Sequence, residues 1–228
     1  MSHMITASGA EYHFTGLPCP HLRPVRIEDI AHHLALLNRF HGATRRPYSV
    51  AEHSLLVCQL AADAGYTPMV QLAALLHDGH EAYTNDLASP AKHAIDAATM
   101  PVGVLAWRQF EAEHALHMRR HFGITTIYNA WRAPLRHLDL VALATERRDL
   151  TAWRAEVHAP WPILNDGQHN AIVPSQNIYL MTAPRQIETW HGWKANFLQQ
   201  FYTLKDTIEQ MTEVLLHDPA NQPGGAQA

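Results

Sequence analysis

Cysteine is scarce in this chain, and long apolar runs are missing. Its 228 residues include only Cys19 and Cys58, and no stretch approaches the roughly 20 apolar residues of a membrane-spanning helix. Two cysteines so far apart favour reduced thiols over a disulfide, which indicates a reducing compartment. The N-terminus also lacks the charged-then-apolar plan of a signal peptide. We therefore expect a cytoplasmic protein without a membrane partner.

An excess of positive charge is also missing. The 17 basic and 21 acidic residues give a net charge of −4, so a nucleic-acid partner is not expected, although a local phosphate site remains compatible. The hydrophobic content of 47% is that of an ordinary globular protein. Histidine is abundant, with 18 residues, so a single histidine carries little information by itself.

The pattern of apolar residues predicts an all-α, single-domain protein. Residues 5–25 are expected to be irregular because they contain Pro18, Pro20 and Pro24. Helical spacing or helix-boundary residues then mark segments 26–40, 49–64, from 67 into the His77 motif, from 89, 102–122, 134–153 and 184–216. Residues 156–181 are read as a long loop. The aromatic stripe of the last segment, Trp190, Trp193, Phe197, Phe201 and Leu204, indicates core packing.

The two ends of the chain are expected to lie outside the domain. "MSH" before Met4 looks like a cloning remnant, so residues 1–4 are assigned to the remnant and the natural start. The domain spans residues 5–216. Residues 217–228, ending in "DPANQPGGAQA", are predicted to be a disordered tail.

Polar residues occur where the helical pattern points inward. His53 shares the stripe of Val50, Val57 and Leu60, so it should face the interior. Asp139 shares a second stripe with Leu135, Ala142 and Glu146. An inward carboxylate is costly unless it is paired, hydrogen-bonded or bound to a metal. A core histidine with an ordinary hydrogen bond, and an aspartate paired with an arginine, remain alternatives.

A third polar group follows the apolar segment "LAALL", which leads directly into His77-Asp78. Together with His53 and Asp139, this places two imidazoles and two carboxylates on the inner sides of successive helices. Such a set suits a first-row divalent metal that keeps positions open for water and substrate. The sequence therefore predicts a metal site formed by His53, His77, Asp78 and Asp139.

Four segments of the chain resemble the HD-domain metal-dependent phosphohydrolases, and closely their 5′-deoxynucleotidase branch. They are "RF" at 39–40, "YSVAEHSLLV" around His53, "ALLHDGHEAYTNDLASPAK" at 74–92 and "HLDLVALATERRDL" around Asp139. The resemblance spans about residues 25–150. It implies an HD-type helical bundle with extra C-terminal helices, and it maps the family's metal ligands onto the same four residues.

The resemblance also implies roles for neighbouring side chains. Glu81 and Asp86 correspond to the family's two catalytic acids, which orient or deprotonate water and handle the leaving group. Arg39 corresponds to a phosphate-binding arginine, for which Arg45 and Arg46 are competitors. Lys92 matches a lysine near the phosphate, and Phe40 stands where relatives place an aromatic ring at the nucleoside.

This chain departs from its apparent relatives at two positions. Ala43 replaces a histidine found in many of them, and Asn85 replaces the glycine that often precedes the second acid. Segments 96–130 and 156–216 lie outside the shared core, so the choice of substrate carries over poorly. Further metal ligands were considered at His33, His41 and His80, and at Cys19 with His21.

These features together predict a nucleotide phosphohydrolase that releases phosphate from deoxynucleoside 5′-monophosphates. The alternatives are a deoxynucleoside triphosphate triphosphohydrolase and a non-catalytic nucleotide-sensing module; the presence of both Glu81 and Asp86 disfavours the latter. The expected cofactor is one divalent transition metal, among Mn, Co, Fe, Ni and Zn, with Mg accompanying the substrate as a further option. We also expect a homo-oligomer, a dimer or larger.

Overall fold

The computed structural model describes residues 2–15, 21–165 and 171–217 and confirms an all-α globular fold. Within these residues the helices are α1 (Ile27–Leu36), α2 (Val50–Asp63), α3 (Pro68–Leu75), α4 (Glu81–Thr84), α5 (Ser89–Thr99), α6 (Ala106–His121), α7 (Thr125–Ala130), α8 (Arg132–Leu150), α9 (Ala183–Ile187) and α10 (Trp190–His217). Short 3₁₀ turns occur at Arg39–Gly42, Met100–Val102 and Pro162–Leu164.

The N-terminal segment is more regular than predicted. Strand β1 (His3–Ile5) pairs antiparallel with β2 (Glu11–His13), so part of the segment expected to be irregular forms a hairpin. The prolines that suggested irregularity begin only at Pro18, beyond β2. His3 and Met4, assigned to the remnant and start, lie in β1. Residues 16–20, including Cys19, lie outside the described part of the chain.

Helix α2 is the central element because it packs against α1, α3, α8 and α10. Its start is fixed by Ser49, whose hydroxyl accepts a hydrogen bond from the Glu52 backbone N–H, as the capping pattern predicts. Gly65 has φ +74° just after its end and accommodates the left-handed turn. Pro68 occupies the first turn of α3, where its missing N–H costs nothing.

Two predicted helices at the ends of the helical region are interrupted. The first ends at Leu36 instead of continuing to residue 40, because Leu37 and Asn38 adopt extended backbone angles. The C-terminal segment divides at Glu188 and Thr189 into α9 and α10. The predicted core stripe is confirmed, since Phe197, Phe201 and Leu204 are buried and Trp190 and Trp193 pack against the same cluster.

The segment predicted to be a long loop lacks regular helix in its described part. Residues 152–161 and 171–182 are without regular helix, in line with the predicted long loop, and α7 was not anticipated from the sequence. His217, assigned to the predicted tail, is the last residue of α10, and the rest of that tail, residues 218–228, lies outside the described residues. Cys58 is buried and free. In the described part of the chain, no helix has the length and apolar character needed to cross a membrane.

Candidate metal centre

The four predicted metal ligands converge at one point between α2, α8 and the turn after α3. His53 lies on α2, Asp139 lies on α8, and His77 and Asp78 lie in the turn between α3 and α4. The prediction that the His-Asp pair lies on the inner side of a helix is wrong: α3 ends at Leu75, and the pair belongs to the following turn, which lets two consecutive side chains reach the same point. His53 is fully buried, whereas Asp78 and Asp139 keep about a fifth of their side chains exposed.

The distances between donor atoms match the edges of a metal coordination shell. His53 Nε2 lies 3.2 Å from His77 Nε2, 3.4 Å from Asp139 Oδ1 and 3.5 Å from Asp78 Oδ2. His77 Nε2 lies 3.1 Å from Asp78 Oδ2 and 4.0 Å from Asp139 Oδ1. Ligands bound at roughly 2.1 Å would be about 3.0–3.4 Å apart in octahedral or tetrahedral geometry. His53, His77 and Asp139 could therefore hold a metal ion, and Asp78 lies within 3.5 Å of both histidines.

The hydrogen bonds of the two histidines leave both Nε2 atoms as acceptors. His77 Nδ1 donates to the Ala74 carbonyl at 2.7 Å, and His53 Nδ1 lies 2.5 Å from Glu146 Oε1. A carbonyl and a carboxylate accept hydrogen bonds, so each Nδ1 carries the proton of the neutral ring. Two bare Nε2 atoms then face each other and two carboxylates. Arg136 donates to Asp139 Oδ2 at 2.8 Å, and Arg39 lies 3.7 Å from Asp78. A cation between the two Nε2 atoms and the carboxylates would compensate the remaining repulsion.

The electrostatics of His53 show how strongly the cluster attracts positive charge. Burial disfavours the imidazolium and Arg39 repels it, yet Glu146, Asp139 and Asp78 together hold the pKa of His53 well above its usual value. Burial would also raise the pKa of Asp78, but His77 and His53 bring it well below the ordinary range. The carboxylates around His53 thus favour a positive charge at this point.

Glu146 stabilises His53 from the side away from the other ligands. It is fully buried on α8 and also accepts a hydrogen bond from the Tyr48 hydroxyl at 2.9 Å. Burial would raise its pKa, but Arg39, His53 and Tyr48 hold that pKa below the usual value. A carboxylate behind a histidine ligand fixes the ring and makes it a stronger donor.

Arg39 lies inside the site and is surrounded by carboxylates. Its Nη2 donates to Glu146 at 3.3 Å, while Nη1 lies 3.7 Å from Asp78 and 3.9 Å from Asp86. Although burial opposes it, these carboxylates raise the pKa of Arg39 further above its usual value. Arg39 therefore connects a predicted metal ligand, a predicted catalytic acid and the partner of His53. Its role toward phosphate stays a prediction.

The segment that carries Arg39 has an unusual backbone. Phe40 and His41 both have φ +54°, a left-handed conformation that costs a non-glycine residue energy. The strain places Phe40 next to the Arg39 guanidinium, 5.6 Å from the ring centre, and 6.1 Å from the Trp161 ring. His41 Nε2 accepts a hydrogen bond from the Ala88 N–H, which ties the segment to the loop after Asp86.

Glu81 and Lys92 form a second polar group beside the four ligands. Glu81 opens α4, and its Oε1 lies 3.6 Å from Lys92 Nζ instead of bonding His77. Lys92 also donates to Glu111 of α6 at 2.5 Å. Burial raises the pKa of Glu81 well above its usual value, and Asp78 and Asp86 add to the effect against Lys92 and Arg39. Glu81 is thus suited to hold a proton.

His80 completes this second group. From the sequence, His80 was predicted only as a candidate ligand of a further metal. It is buried, and its Nε2 lies 3.7 Å from Glu111 Oε1. In the described part of the chain, its two ring nitrogens have no hydrogen-bond partner. His80, Glu81 and Glu111 could together hold a metal ion. The ammonium group of Lys92 already lies against the Glu111 oxygen, however, and would repel a second cation.

Asp86 follows a strained residue. Asn85 has φ +72° and ψ +156°, a region that is almost restricted to glycine, and its side-chain oxygen accepts a hydrogen bond from the Asp86 N–H. The turn still directs the Asp86 carboxylate toward Arg39.

The other candidate residues are placed elsewhere. Arg46 is bound by both oxygens of Glu52 and by the Leu180 carbonyl, and Arg45 is exposed. Both ring nitrogens of His33 contact backbone groups of Ala7 and Ala82. These bonds exclude Arg46 as the free phosphate arginine and His33 as a metal ligand. Of the candidate pair Cys19 and His21, Cys19 lies outside the described residues.

Sequence reasoning missed several residues around the site: Tyr48, Glu111, Arg119, Tyr128, Glu146 and Trp161. Glu146 had a signal, because it lies seven residues after Asp139 on the same helical stripe. The others had no such signal. Glu111, Arg119 and Tyr128 come from segment 96–130, and Trp161 from the long loop.

The chain is similar to proteins whose descriptions name no activity. It is 29% identical over 164 residues to the uncharacterized protein YfdR of Escherichia coli (strain K12), which covers 72% of this chain and 79% of YfdR. It is also 51% identical over 75 residues to an uncharacterized protein of Rhodobacter capsulatus, 31% of this chain and 38% of that protein. No family model matches the chain.

Proposed function

We propose that the protein is an HD-type, metal-dependent phosphohydrolase that releases phosphate from deoxynucleoside 5′-monophosphates. The observation that carries the proposal is the set of acceptor atoms on His53, His77, Asp78 and Asp139, which lie within 3.1–4.0 Å in the measured pairs. Two imidazoles and two carboxylates favour Mn, Fe, Co, Ni or Zn over an oxygen-only site for Mg.

A bound divalent ion would supply Lewis acidity, which withdraws charge from a phosphate ester and makes water a better nucleophile. The residues of the chain provide the remaining functions. Glu81, whose pKa is raised, can hold a proton for the leaving oxygen, while Asp86 can accept one from water. Arg39 and Lys92 lie beside these acids and provide positive charge for the phosphate.

The aromatic pair of Phe40 and Trp161 supports a nucleoside substrate. Both rings are partly exposed, and their centres are 6.1 Å apart with a 37° tilt. A base sandwiched between two rings would need roughly 7 Å between them, since each contact takes about 3.5 Å. The two rings therefore form one continuous wall against which a base can stack.

The decisive experiment measures product release with a panel of nucleoside mono- and triphosphates in the presence of Mn²⁺, Co²⁺ and Mg²⁺. Release of inorganic phosphate from deoxynucleoside monophosphates supports the proposal. Release of triphosphate from deoxynucleoside triphosphates would identify the alternative hydrolase. If nucleotides bind but no product is released with any of these metals, the result supports a non-catalytic nucleotide-sensing module and refutes the enzyme.

Metal ligation is tested separately from turnover. His77→Ala and Asp78→Ala should abolish both metal content and activity, because loss of one ligand opens the coordination shell. His33→Ala serves as the matched control, since its ring is held by backbone groups away from the four ligands. Undiminished stoichiometric metal in both ligand variants, measured by elemental analysis, would refute the four-ligand assignment.

A further inference from the structure

Arg119 of α6 is a partly buried arginine that has no carboxylate against it among the described residues. Its Cζ lies 3.9 Å from the centre of the Tyr128 ring, and its buried Nε makes no hydrogen bond. Throughout residues 2–15, 21–165 and 171–217, no carboxylate oxygen lies within 4.0 Å of a guanidinium nitrogen of Arg119, the distance that defines an ion pair. By contrast, the buried Arg46 is bound by a glutamate, and Arg39 contacts three carboxylates.

Helix α6 brings neighbours of Arg119 against the turn that belongs to the candidate metal centre. The side chain of Met118 covers Gly79, where an added Cβ would lie 3.2 Å from Met118 Cε. Two turns earlier on the same helix, Glu111 contacts Lys92. This face of α6 therefore lies over the turn that carries His77 and Asp78, and Arg119 directly follows Met118.

Carboxylates of the candidate metal centre affect the pKa values of both Arg119 and Tyr128. Burial lowers the pKa of Arg119, and Asp78 and Glu111 act in the opposite direction. Burial raises the pKa of Tyr128, to which Asp78 and Asp139 add. The pair thus lies near the metal ligands without forming an ion pair with them.

A guanidinium that is partly removed from water loses hydration, and an ion pair normally compensates this loss. The ring of Tyr128 contacts only the flat face of Arg119. Cation–π contact holds the group in place and leaves the edge of the guanidinium, with its N–H donors, free for an anion. A phosphate group matches this fork of donors.

We propose that Arg119 is a second phosphate-binding arginine of the site, oriented by stacking on Tyr128. The choice of phosphate as the anion rests on the proposed function. The observation that Arg119 has no carboxylate partner among the described residues is independent of that function. Because three carboxylates surround Arg39, Arg119 provides the guanidinium that a phosphate can reach without displacing a protein partner. Segment 96–130, which lies outside the resemblance, thereby contributes to substrate binding.

The test measures binding of inorganic phosphate to the metal-loaded, full-length protein by titration calorimetry. Arg119→Met should weaken binding by about 10- to 100-fold, the range expected for loss of a bidentate charge-assisted contact. Arg119→Lys keeps the charge and loses the paired N–H donors of the guanidinium, so its phosphate affinity should lie between those of Arg119→Met and the wild type. Arg120→Met is the control, because it alters the exposed arginine next along α6. Metal content should be unchanged in all three.

A purely structural Arg119 predicts a different result, in which Arg119→Met lowers the melting temperature and leaves phosphate affinity unchanged. That result overturns the inference, as does a wild-type protein that binds no phosphate. If Arg119→Met fails to fold, Arg119→Lys with wild-type affinity also overturns it. Arg119-dependent phosphate binding in a protein that hydrolyses no nucleotide would leave the inference intact and refute the proposed function.

Discussion

Glu146 Oε1 and His53 Nδ1 lie 2.5 Å apart, and neither side chain is exposed to solvent. The two residues are separated by 93 positions in the chain, so only the packing of α8 against α2 brings them together. The contact leaves His53 Nε2 directed at His77, Asp78 and Asp139. Glu146 thus fixes the orientation of a ligand without being one.

Replacement of Glu146 should therefore weaken metal binding. Glu146→Gln keeps the shape of the side chain and removes its charge, so we expect about a 10- to 100-fold loss of metal affinity. Competition with a chelator of known affinity measures the change. Tyr48→Phe is the matched control, because it removes a hydrogen bond to the same oxygen and keeps the carboxylate. If Glu146→Gln and the wild type bind the metal with equal affinity, Glu146 has only a structural role and does not strengthen the His53 ligand.

Glu81 and Asp86 should be required for turnover and dispensable for metal binding. Glu81→Ala and Asp86→Ala remove proton transfer, which typically lowers a rate by about 10²–10⁴-fold. The four ligands are untouched, so metal content and nucleotide binding should persist. Steady-state turnover, elemental analysis and calorimetric binding are compared with Glu209→Ala, a change on the exposed end of α10. Near-normal turnover would contradict the catalytic roles, and loss of metal would make either acid a ligand.

Asn85→Gly should stabilise the protein. Asn85 occupies a backbone region that costs a non-glycine residue about 1–3 kcal/mol, and the greater freedom of glycine in the unfolded chain offsets part of the gain. We expect a net increase of about 1 kcal/mol in the free energy of unfolding, measured by urea denaturation. Asn38→Gly is the control, since Asn38 has an ordinary φ of −86° and should lose stability. A decrease at Asn85 would mean that its hydrogen bond to Asp86 outweighs the strain.

His114 should make the fold sensitive to acid. Burial, with Arg23 adding to it, lowers the pKa of His114 from 6.5 to about 4. Because the unfolded state takes up the proton first, this contribution is present above pH 6.5 and is lost as pH falls toward 4. The loss should be about 1–3 kcal/mol, after discounting for partial solvent screening.

Urea unfolding of the wild type and His114→Gln between pH 4.5 and 7.5 tests this. The variant cannot titrate at this position, so its stability should fall less over the same range. Parallel pH dependence of the two proteins would show that other groups cause the acid sensitivity. His3→Gln is a suitable control, because it removes an exposed histidine from β1.

Local patterns in the sequence were sufficient for the helices and for the direction of key side chains. Ser49, Gly65 and Pro68 act on their own turns of chain, so their effect does not depend on the rest of the fold. The helical stripes correctly placed His53 and Glu146 in the interior, because burial of an apolar face determines how a helix rotates. Two of the four candidate ligands, His53 and Asp139, could be selected on this basis, whereas His77 and Asp78 were selected because they follow an apolar segment.

The tertiary structure alone decided which polar groups compensate one another. Glu146 with His53, Glu111 with Lys92, and Arg119 on Tyr128 depend on helix packing, which no local spacing encodes. The same holds for the left-handed backbone at Phe40, His41 and Asn85, since intrinsic preferences disfavour it and only surrounding contacts maintain it. The sequence determined the helices and the inward stripes because these follow from short-range periodicity; the geometry of the site came from long-range contacts.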